Sequence, residues 1–217
     1  MIYDILRVFG IITGYPFQLL FFKTKVFYEN DNKKNRHAER GALIISNHYN
    51  LVDYIVTVFL FFPRKLYVVA SEMAYRDPII SFGMKFWGGI QANRQTKNMR
   101  FVDISADKIR SGNLVLIFPE GHNTDDGEIH DFYPSYIKIA LLAKEPIIPI
   151  ITDGNYGPFK RTHVIIGEQI DLYDYLDGDT FTRDDIKRLN AMVYQKALDL
   201  KSELERRKNK SKRKDKN

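Results

Sequence analysis

Five short apolar runs recur along the chain, and they limit the possible folds more than any other feature. Each is rich in Ile, Val or Leu and is followed by a polar residue, Pro or Gly; the runs are residues 41–46, 66–70, 114–118, 147–151 and 164–166. Runs of this length and composition are typical of strands that are buried on both faces. The sequence therefore predicts a sheet that is covered on both sides.

Helical patterns lie between these runs. The candidates are residues 51–62, a helix starting at Pro78 with Asp77 as N-cap, a stripe of Met99, Val102, Ala106 and Ile109, residues 136–144, and a helix opened by a capping box of Thr182 and Asp185. Spacings of three and four residues and such caps are helix signals. Strands that alternate with helices predict an α/β fold, with a mixed, mostly parallel sheet covered by helices on both faces.

The positive charge of the chain is concentrated at its C-terminus. Residues 206–217 contain eight Lys or Arg and one Asp, whereas the whole chain has a net charge of +6. We therefore expect a disordered polybasic tail over 206–217 and a folded body with no basic excess. The tail also lacks the interleaved aromatic residues of single-strand binders, so no nucleic-acid partner is expected.

The N-terminus carries an apolar segment, residues 8–22, which is interrupted by two Gly, one Pro and one Gln. It is shorter than the roughly 20 residues that cross a hydrocarbon core. Because Lys23 and Lys25 follow it, we predict a membrane-anchoring segment over residues 1–29, either interfacial or re-entrant. The alternative is a pair of N-terminal helices packed on the domain.

A His and an Asp follow the first predicted strand. His48 and Asp53 are separated by four residues, across a turn into a predicted helix. This spacing lets the carboxylate bind one imidazole nitrogen and leaves the other nitrogen free to take a proton from an alcohol. General-base help of this kind contributes on the order of 10²- to 10⁴-fold to a rate. The simpler interpretation is a structural His satisfied by a helix-capping Asp.

Two further sets of residues lie near predicted strand ends. Glu120 and Gly121 follow the third run in the sequence Phe-Pro-Glu-Gly, and Arg94 comes shortly after a glycine-rich strand start at Gly88. Ligands in such sheets usually bind beyond the carboxyl ends of the strands. Arg also offers the planar fork of donors that matches phosphate. Each set is a weak signal by itself. The first pattern also occurs in ordinary turns, and Arg94 could equally be an ordinary surface Arg.

Together these residues resemble the conserved blocks of the glycerophospholipid acyltransferases, which acylate lysophosphatidic acid or glycerol phosphate. Residues 47–53 are similar to the NHxxxxD block, 88–94 to the GxxxxxR block, 118–121 to the FPEG block and 146–149 to the apolar, Pro-containing fourth block. The resemblance covers roughly residues 41–170, and four blocks in order are much more specific than any one of them.

The resemblance implies a role for each matching position. His48 is expected to be the general base and Asp53 its orienting partner. The substrate site is expected to include Asn47, Arg94 on the acceptor phosphate, Glu120 on a glycerol hydroxyl or a neighbouring cation, Gly121 beneath the acceptor, and Pro149 in the pocket wall. Backbone N–H groups at the start of the next helix are expected to stabilise the oxyanion. The acyltransferase domain is predicted to span residues 30–205.

The resemblance also implies the partners. The expected donor is acyl-CoA or acyl carrier protein, the acceptor is a lysophospholipid such as 1-acyl-glycerol-3-phosphate or a related hydroxyl compound, and no cofactor is required. Such enzymes work on a membrane surface, here expected to be the cytoplasmic face of the cell membrane. With no Cys in the chain, direct transfer is expected rather than a Cys-linked acyl-enzyme.

The chain departs from the family pattern after FPEG. Where the family usually has Thr-Arg-Ser, this chain has His122, Asn123 and Thr124, so a second phosphate-binding Arg is missing. Two alternatives follow from the residues: a non-catalytic membrane lipid-binding protein, and a metal-dependent hydrolase that uses His122, Asp126 and His130. The second alternative matches no helix-borne metal motif.

Overall fold

The computed structural model describes residues 2–93, 99–124, 126–158 and 160–214. The strands are β1 (Lys25–Tyr28), β2 (Ala42–Ser46), β3 (Leu66–Ser71), β4 (Gly89–Ala92), β5 (Leu114–Ile117), β6 (Ile147–Thr152) and β7 (His163–Ile166). The helices are α1 (Ile2–Phe21), α2 (Val52–Phe61), α3 (Pro78–Trp87), α4 (Arg100–Arg110), α5 (Ser135–Ala143) and α6 (Arg183–Lys214). The five predicted strands are confirmed.

All seven strands form one sheet in the order β1-β7-β6-β2-β5-β3-β4. Neighbours from β6 to β4 are parallel, whereas β7 runs antiparallel to β6, and β1 is parallel to β7. The prediction of a mixed, mostly parallel sheet is therefore confirmed. The carboxyl ends of β2, β5 and β6 lie along one edge of the sheet, and the amino ends of β1 and β7 lie at the same edge.

Alternate residues of the central strands enter two separate cores. Leu43 and Ile45 of β2 pack with residues of α4, α5 and α6 on one face, whereas Ile44 packs with residues of α1, α2 and α3 on the other. Successive strand side chains point to opposite faces. Continuous apolar runs are thus needed because helices cover both faces of the sheet, as predicted.

Two helix boundaries follow directly from local chemistry. The N–H of Thr182 donates to Asp185 Oδ2 (2.9 Å) and the N–H of Asp185 donates to Thr182 Oγ1 (3.2 Å), which is the reciprocal pattern of a capping box at the start of α6. After α4, Gly112 adopts a left-handed φ of +81°. This conformation favours Gly and ends the helix.

The N-terminal segment is helical, and the interfacial anchor stays a prediction. It is one helix, α1, rather than a re-entrant turn or a helix pair, and Pro16 lies inside it. Ile11 and Gln18 are buried against the domain, whereas Phe9 and Phe17 are each 65% exposed. None of the described helices is both long and apolar enough to cross a membrane.

β1 lies inside the stretch 1–29 that we assigned to the anchor. Its four residues pair with β7, for example Lys25 with His163 and Phe27 with Ile165. The sequence did not indicate this strand because it is short and begins with Lys next to an apolar helix. The last residues of the expected anchor are therefore an edge strand of the sheet.

The C-terminus is also more regular than we expected. In place of disorder from Arg206, α6 continues through Lys214, and the part of the expected tail at 215–217 lies outside the described residues. Arg207 pairs with Glu203 one turn earlier (2.6 Å) and with Asp31 (2.6 Å), and Lys208 pairs with Glu205 (2.6 Å). Such pairs favour helix over a solvated coil because they place opposite charges three and four residues apart.

Candidate active site

His48 and Asp53 meet at the carboxyl end of β2. Asp53 Oδ2 lies 2.9 Å from His48 Nδ1, as the spacing predicts. The same oxygen accepts hydrogen bonds from the backbone N–H groups of Tyr49 (2.7 Å) and Asn50 (2.8 Å). The Asp53 side chain is only 1% exposed and that of His48 is 19% exposed. An ionised Asp53 thus selects the tautomer with a proton on Nδ1, which leaves Nε2 as a proton acceptor.

The turn that brings this pair together is built from its own residues. Asn50 Oδ1 accepts from the N–H of Val52 at 2.8 Å, and the N–H of Asp53 donates to the Asn50 carbonyl at 3.1 Å. Together with the bonds to Asp53 Oδ2, these contacts occupy the N–H groups of Tyr49, Asn50, Val52 and Asp53. These four donors therefore serve the turn, and the expected oxyanion contact at the helix start stays a prediction.

The FPEG block packs against His48. The Phe118 ring stacks on the imidazole at 3.9 Å between centroids, with 13° between the planes. Gly121 has a left-handed φ of +73°, which favours Gly, and its N–H donates to the Phe118 carbonyl at 3.0 Å. The N–H of Thr124 donates to the His48 carbonyl at 2.9 Å. The block therefore fixes the plane and the backbone of His48.

Glu120 has a different surrounding from the one that the resemblance implies. It is fully buried, with 0% exposure, and its two oxygens accept from the N–H groups of His48 (3.1 Å) and His130 (2.8 Å). Burial raises the pKa of Glu120, while the two backbone hydrogen bonds oppose that shift. In this structure the carboxylate faces the protein and holds the His48 backbone in place.

Asn47 joins the ends of two strands. Its Oδ1 accepts from the N–H of Thr152 at 2.9 Å, and its Nδ2 donates to the Thr152 carbonyl at 3.0 Å. Because Asn47 is buried and both ends of its amide are used, its contacts in this structure are with β6. Pro149, the other predicted pocket residue on that side, lies within β6 opposite Ile45.

Tyr156 is a site residue that the sequence did not indicate. Its hydroxyl donates to Asp53 Oδ1 and lies 3.1 Å from Thr152 Oγ1. Burial, followed by the charge of Asp53, raises the pKa of Tyr156, so the hydroxyl keeps its proton. The only available signal was its position in a loop that follows β6, at the same sheet edge as His48.

An apolar cavity of about 490 Å³ lies beside this pair, between α1, α2 and α3. Leu51 of the NHxxxxD block lines it, together with Phe22, Val58, Gly83 and Trp87. Ligand cavities are typically ~300–1,000 Å³ and mostly apolar. The Phe22 ring also contacts Tyr156 edge-on at 6.0 Å between centroids, so the cavity wall adjoins the residues that hold Asp53.

Two predicted features remain, Arg94 and the set of His122, Asp126 and His130. Arg94, the expected phosphate ligand, lies outside the described residues. His122 Nδ1 is bonded to the Glu120 carbonyl (2.8 Å), and His130 Nε2 to Asp126 (3.0 Å). Among the described residues, no three or more His, Cys, Asp or Glu side chains form a group that could hold a metal ion.

The comparisons with known proteins agree with this geometry. The profile of a family described as Acyltransferase matches residues 27–153. The 1-acyl-sn-glycerol-3-phosphate acyltransferase beta of Homo sapiens is 24% identical over 138 residues, covering 62% of this chain and 49% of that protein. The 1-acyl-sn-glycerol-3-phosphate acyltransferase of Borreliella burgdorferi is 26% identical over 142 residues, covering 64% of this chain and 56% of that protein. The chain thus spans about half the length of these two relatives.

A third relative is matched over more of its length. The 1-acyl-sn-glycerol-3-phosphate acyltransferase of Bacillus subtilis is 24% identical over 149 residues, covering 66% of this chain and 74% of that protein. The crystal structure of the 1-acyl-sn-glycerophosphate (LPA) acyltransferase PlsC from Thermotoga maritima is similar with a TM-score of 0.56 and 18% identity, covering 82% of this chain and 72% of that one. At that identity the likeness shows a common fold.

Proposed function

Because this chain belongs to the Acyltransferase family, we propose that it is an enzyme that transfers a fatty acyl group from a thioester to a hydroxyl acceptor in phospholipid synthesis. One observation carries the proposal: the 2.9 Å contact of His48 with a buried Asp53 beside an apolar cavity. The contact supplies a base, and the cavity supplies room for an acyl chain.

The pair acts as a general base. His48 Nε2 removes the proton of the acceptor hydroxyl while that oxygen attacks the thioester carbonyl. The C–S bond then breaks as the new ester C–O bond forms, and the proton held by His48 goes to the departing thiolate. Asp53 keeps Nδ1 protonated and stabilises the imidazolium that exists between the two proton transfers. The residues supply acid–base chemistry and positioning, and no cofactor is needed.

The apolar cavity holds the acyl chain. Its walls come from three helices, and its lining residues Leu51 and Tyr54 flank the stretch that carries Asp53. Burying an alkyl chain stabilises binding by about 0.8 kcal/mol per methylene. A long chain placed there brings the thioester carbonyl to the sheet edge at which His48 lies.

The donor is acyl-CoA or acyl carrier protein, and the acceptor is a lysophospholipid, with 1-acyl-glycerol-3-phosphate as the first candidate. The relatives named as 1-acyl-sn-glycerol-3-phosphate acyltransferases support this acceptor. Arg94 is proposed to hold its phosphate. The absence of an Arg at positions 122–124 makes related hydroxyl acceptors the necessary comparison in any assay.

The place of action is the cytoplasmic face of the cell membrane. The outward side of α1 presents Phe9, Ile12, Phe17 and Leu20, each more than half exposed. Lys23 and Lys25 follow immediately and suit anionic headgroups. Replacing Phe9 and Ile12, which do not line the apolar cavity, together by Ser should release the protein from anionic vesicles in a flotation assay, whereas unchanged flotation would contradict an α1 anchor.

The acyl-transfer proposal is tested with purified protein and radiolabelled donors. Acyl-CoA and acyl carrier protein are each offered with a panel of lysophospholipids and polyols, and product is compared between the wild type and His48→Ala. Labelled product that disappears in the variant supports the proposal and identifies the acceptor. No product with either donor, or product that is unaffected by the substitution, would contradict it and favour a lipid-binding protein.

A further inference from the structure

The two oxygens of Asp53 are held by different parts of the chain. Oδ2 accepts its three hydrogen bonds from residues 48–50, within its own turn. Oδ1 accepts from Tyr156, which is 103 positions further along the chain. Tyr156 also lies beyond the range 27–153 matched by the family profile. The carboxylate is therefore clamped between the NHxxxxD turn and the loop that follows β6.

The hydrogen bonds on the Oδ1 side all point toward Asp53. The N–H of Gly154 donates to Thr152 Oγ1 at 3.3 Å, and Thr152 Oγ1 lies 3.1 Å from the Tyr156 hydroxyl. Because Tyr156 gives its single proton to Asp53, the Thr152 hydroxyl must donate to Tyr156. Chains of hydrogen bonds aligned in one direction strengthen one another. The series ends at Asp53, which accepts from Tyr156 at Oδ1 and from His48 Nδ1 at Oδ2, so the two donors compete for the charge of one carboxylate.

Packing holds the loop that carries Tyr156. Gly154 has a φ of +63°, and a Cβ there would lie 2.6 Å from the Tyr49 ring, so the loop lies directly on the catalytic turn. Thr152 is bound on both backbone groups by Asn47. The hydroxyl of Tyr156 is therefore fixed relative to both His48 and Asp53 by contacts with the same turn.

We propose that Tyr156 is a positioning residue of the acyl-transfer reaction: its hydroxyl fixes the Asp53 carboxylate and limits how strongly that carboxylate attracts the proton of His48. This inference rests on the function proposed above. A hydrogen bond to a carboxylate stabilises its charge. Without the bond, more of the Asp53 charge acts on the imidazole, and His48 becomes protonated at a higher pH. His48 is then protonated, and cannot act as a base, over more of the neutral pH range.

Other groups surround the pair and must be unchanged in any comparison. Glu120 contacts the His48 backbone, and the Asp153 carboxylate lies near Tyr49 and Tyr156. Burial, with Asp153 and Asp53, raises the pKa of Tyr49 to about 12, so Tyr49 stays neutral in the working range. Among the described residues, the further titratable neighbours are His122 and His130 near Glu120, His163 and Lys208 near Asp153, and Glu205, whose charge acts on Tyr49.

The test is Tyr156→Phe, which removes one oxygen and keeps the ring. With the donor and acceptor found in the panel assay, we expect kcat to fall about 10-fold, since general-base help contributes on the order of 10²- to 10⁴-fold and only its alignment is impaired. The KM values should stay within about twofold, because no ligand contact is removed. The acidic limb of the pH–rate profile should move to higher pH by about half a unit or more.

Tyr173→Phe is the matched control. It removes a Tyr hydroxyl that donates to the Leu141 carbonyl at 3.1 Å, in the core on the other face of the sheet. Its kcat and acidic limb should equal those of the wild type. Should Tyr156→Phe fail to fold, Thr152→Val removes the donor to the Tyr156 hydroxyl and should move the acidic limb in the same direction by less.

A second readout does not depend on activity. Nitrogen-15 spectra of the five His rings give a titration midpoint for each, and the signals lost in His48→Gln identify His48. A midpoint that rises in Tyr156→Phe but not in Tyr173→Phe supports the effect of the Tyr156 hydroxyl on the pair. If the wild type transfers no acyl group, that result stands while the proposed function, and with it a role of Tyr156 in acyl transfer, fails. The wild type could transfer the acyl group while Tyr156→Phe leaves kcat, the acidic limb and the His48 midpoint unchanged. That result would overturn the inference but not the proposed function.

Discussion

Among the described residues, two His–Asp pairs share the same contact distance and lie at the same edge of the sheet. His48 Nδ1 lies 2.9 Å from Asp53 Oδ2, and His163 Nδ1 lies 2.9 Å from Asp153 Oδ2. Each His also stacks on a Phe ring, Phe118 for the first and Phe27 for the second. A contact distance and an aromatic neighbour therefore do not identify a catalytic pair.

The two carboxylates differ in the charge of their other partners. Among the described residues, Asp53 accepts from neutral donors besides His48: the Tyr156 hydroxyl and two backbone N–H groups. Asp153 Oδ2 lies 3.5 Å from Lys208 Nζ, and this cation partly neutralises the carboxylate. A nearby cation weakens the support that a carboxylate gives to an imidazolium.

The pairs also differ in what a substrate can reach. The His48 side chain is 19% exposed and that of His163 is 9% exposed. The apolar cavity is lined by Leu51 and Tyr54 beside Asp53, whereas His163 is flanked by β1 and α6. On these differences we propose a catalytic role for the first pair and a structural role for the second, which fixes the start of β7.

The largest effect should come from removing one carboxylate charge in each pair. Asp53→Asn should lower kcat by about 10³- to 10⁴-fold, because the amide favours the wrong tautomer of His48. Asp153→Asn should leave kcat within about threefold and lower the free energy of unfolding by roughly 1–3 kcal/mol. Initial rates and denaturant titrations of both variants measure this. Equal losses of activity would remove the distinction between the pairs.

The next largest effect should come from Glu120, which accepts a hydrogen bond from the backbone N–H of His48. Glu120→Gln places an NH₂ group against one of two buried N–H donors, so we expect about a 10- to 100-fold loss of kcat through displacement of His48. Glu128→Gln, at a carboxylate that is 73% exposed and pairs with Lys201, is the control. A loss of activity equal in both variants, or a KM change for the acceptor alone, would contradict a backbone-holding role.

The cavity beside the first pair can be filled from one position. A Cβ on Gly83 meets nothing within 4 Å, and Gly83 lines the cavity, so Gly83→Leu should fit and occupy it. We expect about a 10-fold loss of kcat/KM for long acyl donors and little change for short ones, since one methylene is worth about 10-fold or more in a pocket. Phe82→Leu, at a residue exposed on the same helix, should leave chain-length preference unchanged.

The smallest effect tests the charge argument on the second pair. Lys208→Met removes the cation beside Asp153 and should raise the midpoint of His163 protonation by about half a unit, while kcat stays unchanged. The ring-nitrogen titration described for His48 measures it. A His163 midpoint that does not move, or that falls, would mean that the charge of Lys208 does not cause the difference between the two pairs.

The sequence predicted the first pair and could not predict the second. His48 and Asp53 lie in one turn after a strand, so their spacing alone indicates contact. His163 meets Asp153 because β6 and β7 pair antiparallel, which depends on the register of two strands and the loop between them. Short-range patterns contain no information on such a register.

The same limit explains the other differences. Tyr156 reaches Asp53 across two loops, and the cavity requires three helices to converge, so neither has a local signature. For Glu120 the sequence predicted a carboxylate at a strand end, but the position of the His130 N–H decides whether it faces a ligand or the protein. β1 was missed because it has only four residues, begins with Lys and directly follows an apolar helix.

The central claim is that one of two geometrically equal pairs carries the chemistry, and parallel assays of His48→Ala and His163→Ala test it most directly. With labelled acyl donor and the acceptor identified in the panel, we predict that His48→Ala loses at least about 10²-fold in kcat. His163→Ala should keep a wild-type rate at temperatures where it remains folded. A His48→Ala enzyme that keeps its rate, or a folded His163→Ala enzyme that loses as much activity, would contradict the account.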